Sequence, residues 1–243
     1  MILIKPDHDR RVEIPGVPSP VRRPVDIDQS KTGFANLRTL RIYQFEAASV
    51  IDGHAEEDEV FIVVLAGTVN LIMNAENWEG NDRSFTLSAA LEAEEVPCAA
   101  YLPPHAAYTL TPQTAADVAY ARATPVGTRP PKVFSSRKAV DDANITVLLD
   151  EPTYAERLRL RLVNIDALQS DITLLSADES PANAEELYFF QGEPASRIAT
   201  ISGTNIPLTS VNAWDTIALP PSERHSLKIM SGASARLLIV ASG

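Results

Sequence analysis

The sequence predicts an all-β protein made of two similar barrels. Eighteen prolines and ten glycines, with few amphipathic helical stretches, indicate many short strands separated by turns. Residues 40–45 alternate between apolar and polar side chains, as a half-buried strand does, and the apolar run 59–71 is broken at Ala66-Gly67. The strand-like segments of the first half return in the same order in the second half, which indicates duplication of one barrel.

The repeat can be read in the letters of the two halves. Residues 58–62 (DEVFI) match residues 185–189 (EELYF), and residues 100–104 (AYLPP) match residues 217–221 (IALPP). The turn-rich stretch 125–132 separates the halves. We therefore expect an N-terminal barrel with an N-terminal arm over residues 1–128, and a C-terminal barrel over residues 129–243.

Composition excludes several classes of protein. The formal net charge is −11, with 32 acidic and 21 basic residues, so a nucleic-acid partner is not expected. The single cysteine, Cys98, excludes an internal disulfide framework and a cysteine-based zinc site. No Gly-rich phosphate loop is present, which argues against a nucleotide-binding sheet.

The sequence also predicts where the protein resides. The N-terminus lacks a charged leader followed by an apolar core, so we do not expect a signal peptide. The longest apolar run, residues 60–67, is too short to span a bilayer. The expectation is a cytoplasmic protein with no membrane partner.

Residues 53–67 resemble the first sequence motif of the cupin family. That motif has a glycine, two histidines one residue apart, a glutamate and a second glycine. His54 matches the second histidine, Glu59 the glutamate and Gly67 the last glycine, whereas Asp52 stands in place of the first histidine. The resemblance implies that each half is a double-stranded β-helix, or jelly roll.

The second cupin motif, Pro-x-Gly-x-x-His, appears in both halves. In the C-terminal half it begins at Pro220 and ends at His225. In the N-terminal half it begins at Pro103, and Tyr108 takes the position of the ligand histidine. His105 occupies the glycine position of the motif, so the alignment does not make it a ligand.

Two cupin halves, with Leu-Pro-Pro-x-x-x-Tyr in the first, resemble the 5-deoxy-glucuronate isomerase family of inositol catabolism. The resemblance implies a role in carbohydrate metabolism as an aldose–ketose isomerase, an intramolecular oxidoreductase acting on a sugar acid. It also implies a divalent metal, manganese, iron, nickel or zinc, held by histidines and a glutamate in the C-terminal barrel. The metal would stabilise an enediolate while a base moves a proton between carbons.

The resemblance assigns candidate site residues in the C-terminal half. Glu186 and His225 match metal-ligand positions, and Glu186 is also a candidate catalytic residue. Arg197, on the strand after Gly192, is a second catalytic candidate on separate grounds: it could face the barrel interior and meet a carboxylate, or it could project outward, since strand residues alternate. No histidine precedes Glu186 in residues 180–184, although Asp178 or Glu179 could supply oxygen ligands. His225 could instead be an ordinary loop residue after a Pro-Pro turn.

The N-terminal half has its own candidates. His54 and Glu59 are the predicted metal ligands there, and Asp52 and Tyr108 are predicted to contact a small-molecule ligand. The alternative is that His54 and Glu59 face solvent at the start of a strand.

Three functions remain open at this point. The first is a metal-dependent sugar-acid isomerase. The second is a non-catalytic bicupin that binds a small sugar or sugar acid, and the third is a metal-dependent dioxygenase using His54 and Glu59. The incomplete set of histidines counts against both enzymes. Exposed edge strands make a homodimer the expected assembly.

Overall fold

The computed structural model describes residues 1–74, 83–89, 96–127, 129–135, 139–142, 145–151, 154–155, 157–166, 171–175, 184–194 and 196–243 of the chain. Almost every regular element in these ranges is a strand, which confirms the all-β prediction. No helix in the described ranges is long and apolar enough to cross a membrane.

The elements up to residue 135 are β1 (Ile2–Ile4), β2 (Arg11–Val12), β3 (Val21–Asp28), α1 (Gln29–Thr32), β4 (Leu37–Phe45), β5 (Ile51–His54), β6 (Glu59–Ala66), β7 (Thr68–Asn74), β8 (Arg83–Ser88), β9 (Pro97–Leu102), β10 (Ala107–Pro112), β11 (Ala116–Ala123) and β12 (Lys132–Ser135). The remaining strands are β13 (Ala139–Asp142), β14 (Ile145–Glu151), β15 (Leu158–Ile165), β16 (Ile172–Leu175), β17 (Glu185–Gly192), β18 (Arg197–Gly203), β19 (Ile206–Asn212), β20 (Thr216–Leu219), β21 (His225–Ile229) and β22 (Ala235–Ser242).

The chain divides into two compact units that exchange short segments. The N-terminal barrel comprises Asp7–Arg137 and Glu151–Arg159, and the C-terminal barrel comprises Met1–Pro6, Lys138–Asp150 and Leu160–Gly243. Strand β1 belongs to the C-terminal barrel because it pairs antiparallel with β20. These units differ from a simple division after residue 128, since each takes a segment from the far side of that point.

Each barrel consists of a seven-stranded and a four-stranded sheet. The order is β12-β9-β6-β11-β4-β3-β2 and β5-β10-β7-β8 in the N-terminal barrel. In the C-terminal barrel it is β1-β20-β17-β22-β15-β14-β13 and β16-β21-β18-β19. Strands β2 to β11 correspond in order to β13 to β22, so the duplication read from the sequence extends through these strands. The edge strands β12 and β1 take the same place in the two sheets, but β12 follows its repeat in the chain and β1 comes at the start of the chain.

Alternation along β6 shows which side chains face the inside of the N-terminal barrel. Val60, Ile62 and Val64 are fully buried in the core with Leu71 and Leu110. Burying such an aliphatic side chain contributes roughly 1.5–3 kcal/mol to stability. Residues 59, 61 and 63 point to the opposite face of the sheet, because successive strand residues alternate.

The strand register corrects the alignment of the two halves. Val60 pairs with Leu102 across β6 and β9, whereas Glu186 pairs with Leu219 across β17 and β20. Leu102 and Leu219 are the matching leucines of the two Leu-Pro-Pro segments. Glu186 therefore corresponds to the inward-facing Val60, not to Glu59, and the letter match of residues 58–62 with 185–189 is wrong by one position.

Candidate functional site

A cavity of about 260 Å³ lies in the N-terminal barrel. Its walls come from β4, β5, β6, β10 and β11, with residues 13–15 of the segment before β3 at one side. The apolar lining includes Ile14, Phe45, Ile51 and Val60. The polar and charged lining consists of Glu13, Thr39, Arg41, Tyr43, Asp52, His54, Tyr108, Tyr120 and Arg122. An apolar wall with convergent polar groups is the usual character of a small-molecule site.

Two guanidinium groups line this cavity, and each is held along one edge. Nε of Arg41 donates to Oδ1 of Asp26 at 3.0 Å. Arg122 donates through Nη2 to the backbone carbonyls of His54, at 3.2 Å, and Ala55, and its Nε lies 3.4 Å from Oδ2 of Asp58. An arginine has five N–H donors. Both side chains therefore keep donors that described residues do not use, in fixed orientations beside the cavity.

Aromatic rings form another part of the wall. Tyr43 stacks on Phe45 with ring centroids 5.5 Å apart and meets the edge of Tyr120 at 5.4 Å. The ring of Tyr108 lies 6.1 Å from that of Tyr120. Burial raises the pKa of Tyr108 to about 12 and that of Tyr120 well above its ordinary value. These phenols therefore remain protonated at neutral pH and act as hydrogen-bond donors and apolar surface.

Two buried hydroxyl groups of the lining lack good hydrogen bonds. Oη of Tyr120 and Oγ1 of Thr39 make no hydrogen bond of standard geometry with described residues, although the Tyr108 hydroxyl lies close to that of Tyr120. Leaving such a group unsatisfied costs roughly 1–3 kcal/mol. A polar ligand in the cavity would remove that cost.

Three of the residues predicted for the N-terminal half meet at this cavity. Asp52 and His54 lie on β5, and Tyr108 lies on the neighbouring β10. Asp52 accepts a hydrogen bond from Thr109 Oγ1 at 2.6 Å. His54 accepts the backbone N–H of Glu56 at Nδ1, at 2.9 Å, so its Nε2 is the ring nitrogen left for other contacts.

Glu59 does not join them at the cavity, so the structure does not bring the two predicted metal ligands His54 and Glu59 together. The side chain lies on the opposite face of β6 from the cavity, where Oε2 accepts from the Tyr101 hydroxyl at 3.2 Å. Its Oε1 accepts the backbone N–H of Leu158 at 2.8 Å. Glu59 therefore binds a segment of its own barrel, and the dioxygenase alternative loses the pair His54 and Glu59.

In the C-terminal barrel, Glu186 and His225 are both buried, and Tyr188 lies beside them. The Tyr188 hydroxyl lies 2.9 Å from Nε2 of His225, and Glu186 precedes Tyr188 by two residues on β17, so both side chains point to the same side of the strand. Nδ1 of His225 lies 3.0 Å from the backbone carbonyl oxygen of Glu223. The fold therefore brings Glu186 and His225 near each other, but the two side chains do not point at one common position where an ion could be bound.

Arg197 lies elsewhere. It is the first residue of β18 and is exposed, so of the two orientations that the sequence left open the structure shows the outward one. A strand residue at this position points outward while its neighbour Ile198 is buried. Asp178 and Glu179 lie outside the described residues.

The described residues do not fit the divalent metal that the isomerase resemblance implies. Within those ranges no three His, Cys, Asp or Glu side chains are grouped to hold an ion. Glu59 is turned away from His54, and the two ring nitrogens of His225 already face a phenol and a backbone carbonyl. The metal therefore stays a prediction without a site in the described part of the chain.

Sequence reasoning missed Thr39, Arg41, Tyr120 and Arg122. The signal was present in β4, where alternation places Thr39, Arg41 and Tyr43 on one face. The two cupin motifs do not include β4 or β11, so the motifs give no indication of these four residues.

Two jelly-roll barrels of matching topology define a bicupin. The chain belongs to the KduI/IolB family, whose model matches residues 20–143, and is thus a sugar-acid-isomerase-like cupin. No curated protein sequence shows significant similarity to it.

Solved structures show the same fold at low identity. An IolB-like protein from Salmonella typhimurium LT2 is 16% identical with a TM-score of 0.66, covering 96% of this chain and 93% of that one. The protein YlbA from E. coli is 14% identical with a TM-score of 0.65, over 99% and 90%. A variant of Bacillus subtilis oxalate decarboxylase is 8% identical with a TM-score of 0.69, over 100% and 77%.

Proposed function

We propose that this protein binds a small sugar acid in the cavity of the N-terminal barrel, with Arg41 and Arg122 holding the carboxylate. The observation that carries the proposal is the pair of guanidinium groups lining one cavity, each anchored along one edge by Asp26 or by backbone carbonyls. Arginine suits this task because its planar fork matches a carboxylate.

The remaining lining suits a polyhydroxylated ligand. Hydroxyl groups of Thr39 and Tyr120 need partners, and Asp52 can accept from sugar hydroxyls. The rings of Tyr43 and Tyr108 offer flat apolar surface for the carbon skeleton. At about 260 Å³ the cavity is smaller than the roughly 300–1,000 Å³ of drug-sized sites, which favours a single sugar unit.

Calorimetric titration tests the binding. Wild-type protein should bind a hexuronate such as glucuronate and should bind glucose, which lacks the carboxylate, far more weakly. Arg41→Met should weaken hexuronate binding about 10- to 100-fold, since a charged hydrogen bond contributes roughly 1.5–3 kcal/mol. Arg159→Met, at an exposed arginine of β15, should bind like wild type. Equal affinity for the acid and the neutral sugar would overturn the proposal.

Family membership supports a second function, isomerisation of the bound sugar acid. His54 is the side chain best placed to move a proton between adjacent carbons, because its Nε2 is available beside the cavity. Proton NMR in D₂O would reveal turnover as solvent deuterium entering the carbon next to the carbonyl. Deuterium incorporation that is lost in His54→Gln would support catalysis. Binding of the sugar acid without any incorporation would mean that the protein binds the sugar acid but does not isomerise it.

A further inference from the structure

Two arginines stand directly opposite each other on the outermost hairpin of the N-terminal barrel. Arg11 of β2 pairs with Arg22 of β3, and β2 is the edge strand of the seven-stranded sheet. The backbone hydrogen bond from the N–H of Arg23 to the carbonyl of Arg10, at 3.0 Å, belongs to the preceding pair. Arg11 and Arg22, the arginine pair, are therefore a non-hydrogen-bonded pair, in which the two side chains lie closest together.

Neither guanidinium group of the arginine pair has a counter-ion within the part of the chain that the structure describes. Both side chains are exposed, and neither forms a hydrogen bond or an ion pair with a described residue. The Asp26 carboxylate of β3 already pairs with three other arginines. Like charges directly opposite each other destabilise a strand pair. A negatively charged partner would remove this repulsion.

The arginine pair lines a groove of about 810 Å³ at the end of the barrel where β6 ends. The other walls come from residues 17–20, between β2 and β3, and from residues 46–49, after β4. Proline and alanine side chains are exposed along both walls, and Glu46 at the rim pairs with neither arginine. The groove therefore offers apolar surface as well as positive charge to a projecting segment of another molecule.

Negative charge is carried at the other end of β6, on the turn between β5 and β6. Glu56 and Glu57, the acidic turn, have side chains that are 71% and 88% exposed. Each approaches a histidine at 3.7 Å, and neither pairs with an arginine or lysine of the described residues. The turn is fixed, because the N–H of His105 donates to the Glu56 carbonyl at 2.7 Å.

The arginine pair and the acidic turn lie on one side of the barrel. Residues 13–15, which follow β2, line the cavity together with β5, which precedes the acidic turn, so both features border the same seam between the two sheets. They are separated by roughly 23 Å, the length of β6 at about 3.3 Å per residue. Two copies turned antiparallel can bring each arginine pair against the acidic turn of the other copy. Both contacts then form at once, as a closed two-fold dimer requires.

We propose that this seam is the interface of a homodimer, in which the arginine pair of each copy binds the acidic turn of the other. The contacts are exposed ion pairs beside an apolar groove, so salt weakens the dimer by screening them. The interface needs no ligand in the cavity, and it stands or falls separately from the sugar-acid proposal.

Sedimentation velocity of the intact protein tests the interface. The wild-type protein should be dimeric in about 20 mM salt and should associate at least tenfold more weakly in about 500 mM salt. Arg11→Glu with Arg22→Glu should weaken association at low salt about tenfold or more, because both contacts become repulsive. Arg159→Glu with Arg197→Glu makes the same change in net charge at exposed arginines of β15 and β18, and this control should dimerise like wild type.

A second charge-reversed variant, Glu56→Lys with Glu57→Lys, completes the test. It should also fail to dimerise alone, but an equimolar mixture with the arginine variant should form a mixed dimer, since both contacts are then attractive. Circular dichroism checks that each variant is folded, and Arg11→Glu mixed with Glu57→Lys replaces a double variant that does not fold. A wild-type protein that is monomeric at low salt, a dimer that the variants leave unchanged, or a mixture that stays monomeric would overturn the proposal.

Discussion

The ring of Tyr108 lies across Gly53, in the space that any side chain at residue 53 would occupy. A Cβ at Gly53 would lie 2.2 Å from Cζ and 2.4 Å from Oη of Tyr108. The two residues are paired across β5 and β10. The glycine of the first cupin motif thus allows the phenol of the second motif to reach the cavity.

Gly53→Ala should displace the Tyr108 ring and weaken hexuronate binding about tenfold or more. The displaced Tyr108 hydroxyl would no longer form its hydrogen bond to the ligand, and such a loss costs roughly 1–3 kcal/mol. Titration calorimetry measures the affinity, and urea unfolding measures the accompanying loss of stability. Adding Tyr108→Ala to the variant should recover part of that stability, because the clash disappears. Wild-type affinity in Gly53→Ala would show that Tyr108 is not part of the site.

Asp26 holds Arg41 in position but is not among the residues that line the cavity. Its carboxylate accepts from Arg41 and also pairs with Arg10 and Arg23. Asp26→Asn should therefore lower hexuronate affinity while leaving the weak glucose binding unchanged, a split that a general loss of stability would not produce. Asp171→Asn, which breaks the surface pair with Lys228 in the other barrel, is the matched control and should have no effect on affinity.

The stability of the C-terminal barrel should depend on pH through Glu186. Its pKa is raised from 4.5 to about 7 in the folded protein, so the folded state binds the proton more tightly than the unfolded chain. The resulting stabilisation is fully present below about pH 4.5, falls as the pH rises towards 7 and is lost above it, and amounts to about 3 kcal/mol.

Glu186→Gln provides the control, because the amide has nearly the shape of the carboxyl group and does not ionise. Urea unfolding of both proteins between pH 4 and pH 8 should give a difference in unfolding free energy that favours the glutamine variant increasingly as the pH rises. A difference independent of pH would mean that Glu186 is not protonated in the folded protein.

His105 occupies a backbone conformation that suits glycine. Its φ is 65°, in the left-handed region, and the corresponding Ser222 of the second barrel has φ 70°. His105→Gly should raise the unfolding free energy by about 1 kcal/mol because the strain of a Cβ there disappears. His8→Gly, at an exposed residue without positive φ, should not stabilise the protein. A destabilised His105→Gly protein would show that the imidazole contributes more than the strain costs.

The fold was predictable because its signals recur in both halves. The Leu-Pro-Pro segments and the glycine after β6 mark turns, and Gly67, with φ 79°, has no room for a side chain beside the Ala115 carbonyl. The placement of Glu59 was less accessible. Glu59 can be aligned with either of two adjacent glutamates in the second half, Glu185 or Glu186, and a shift of one residue exchanges the two faces of a strand. The strand pairing decides which alignment is correct, because Val60 pairs with Leu102 as Glu186 pairs with Leu219.

The lining of the cavity was predictable only in part. Asp52, His54 and Tyr108 lie at or beside motif positions, so the resemblance pointed to them. Arg41 and Arg122 contribute through the alternation of β4 and β11 and through anchoring contacts such as that with Asp26, which are distant in the sequence. The outward orientation of Arg197 could not be predicted. The residues around it do not alternate clearly between apolar and polar types, so the sequence does not show which face of the strand is buried.

A crystal structure of the protein with a bound hexuronate would test the central claim most directly. The account predicts the sugar in the N-terminal barrel, with its carboxylate against the guanidinium groups of Arg41 and Arg122 and a hydroxyl on Tyr120. A hexuronate bound in the C-terminal barrel beside Glu186 and His225, with the N-terminal cavity empty of it, would contradict the account.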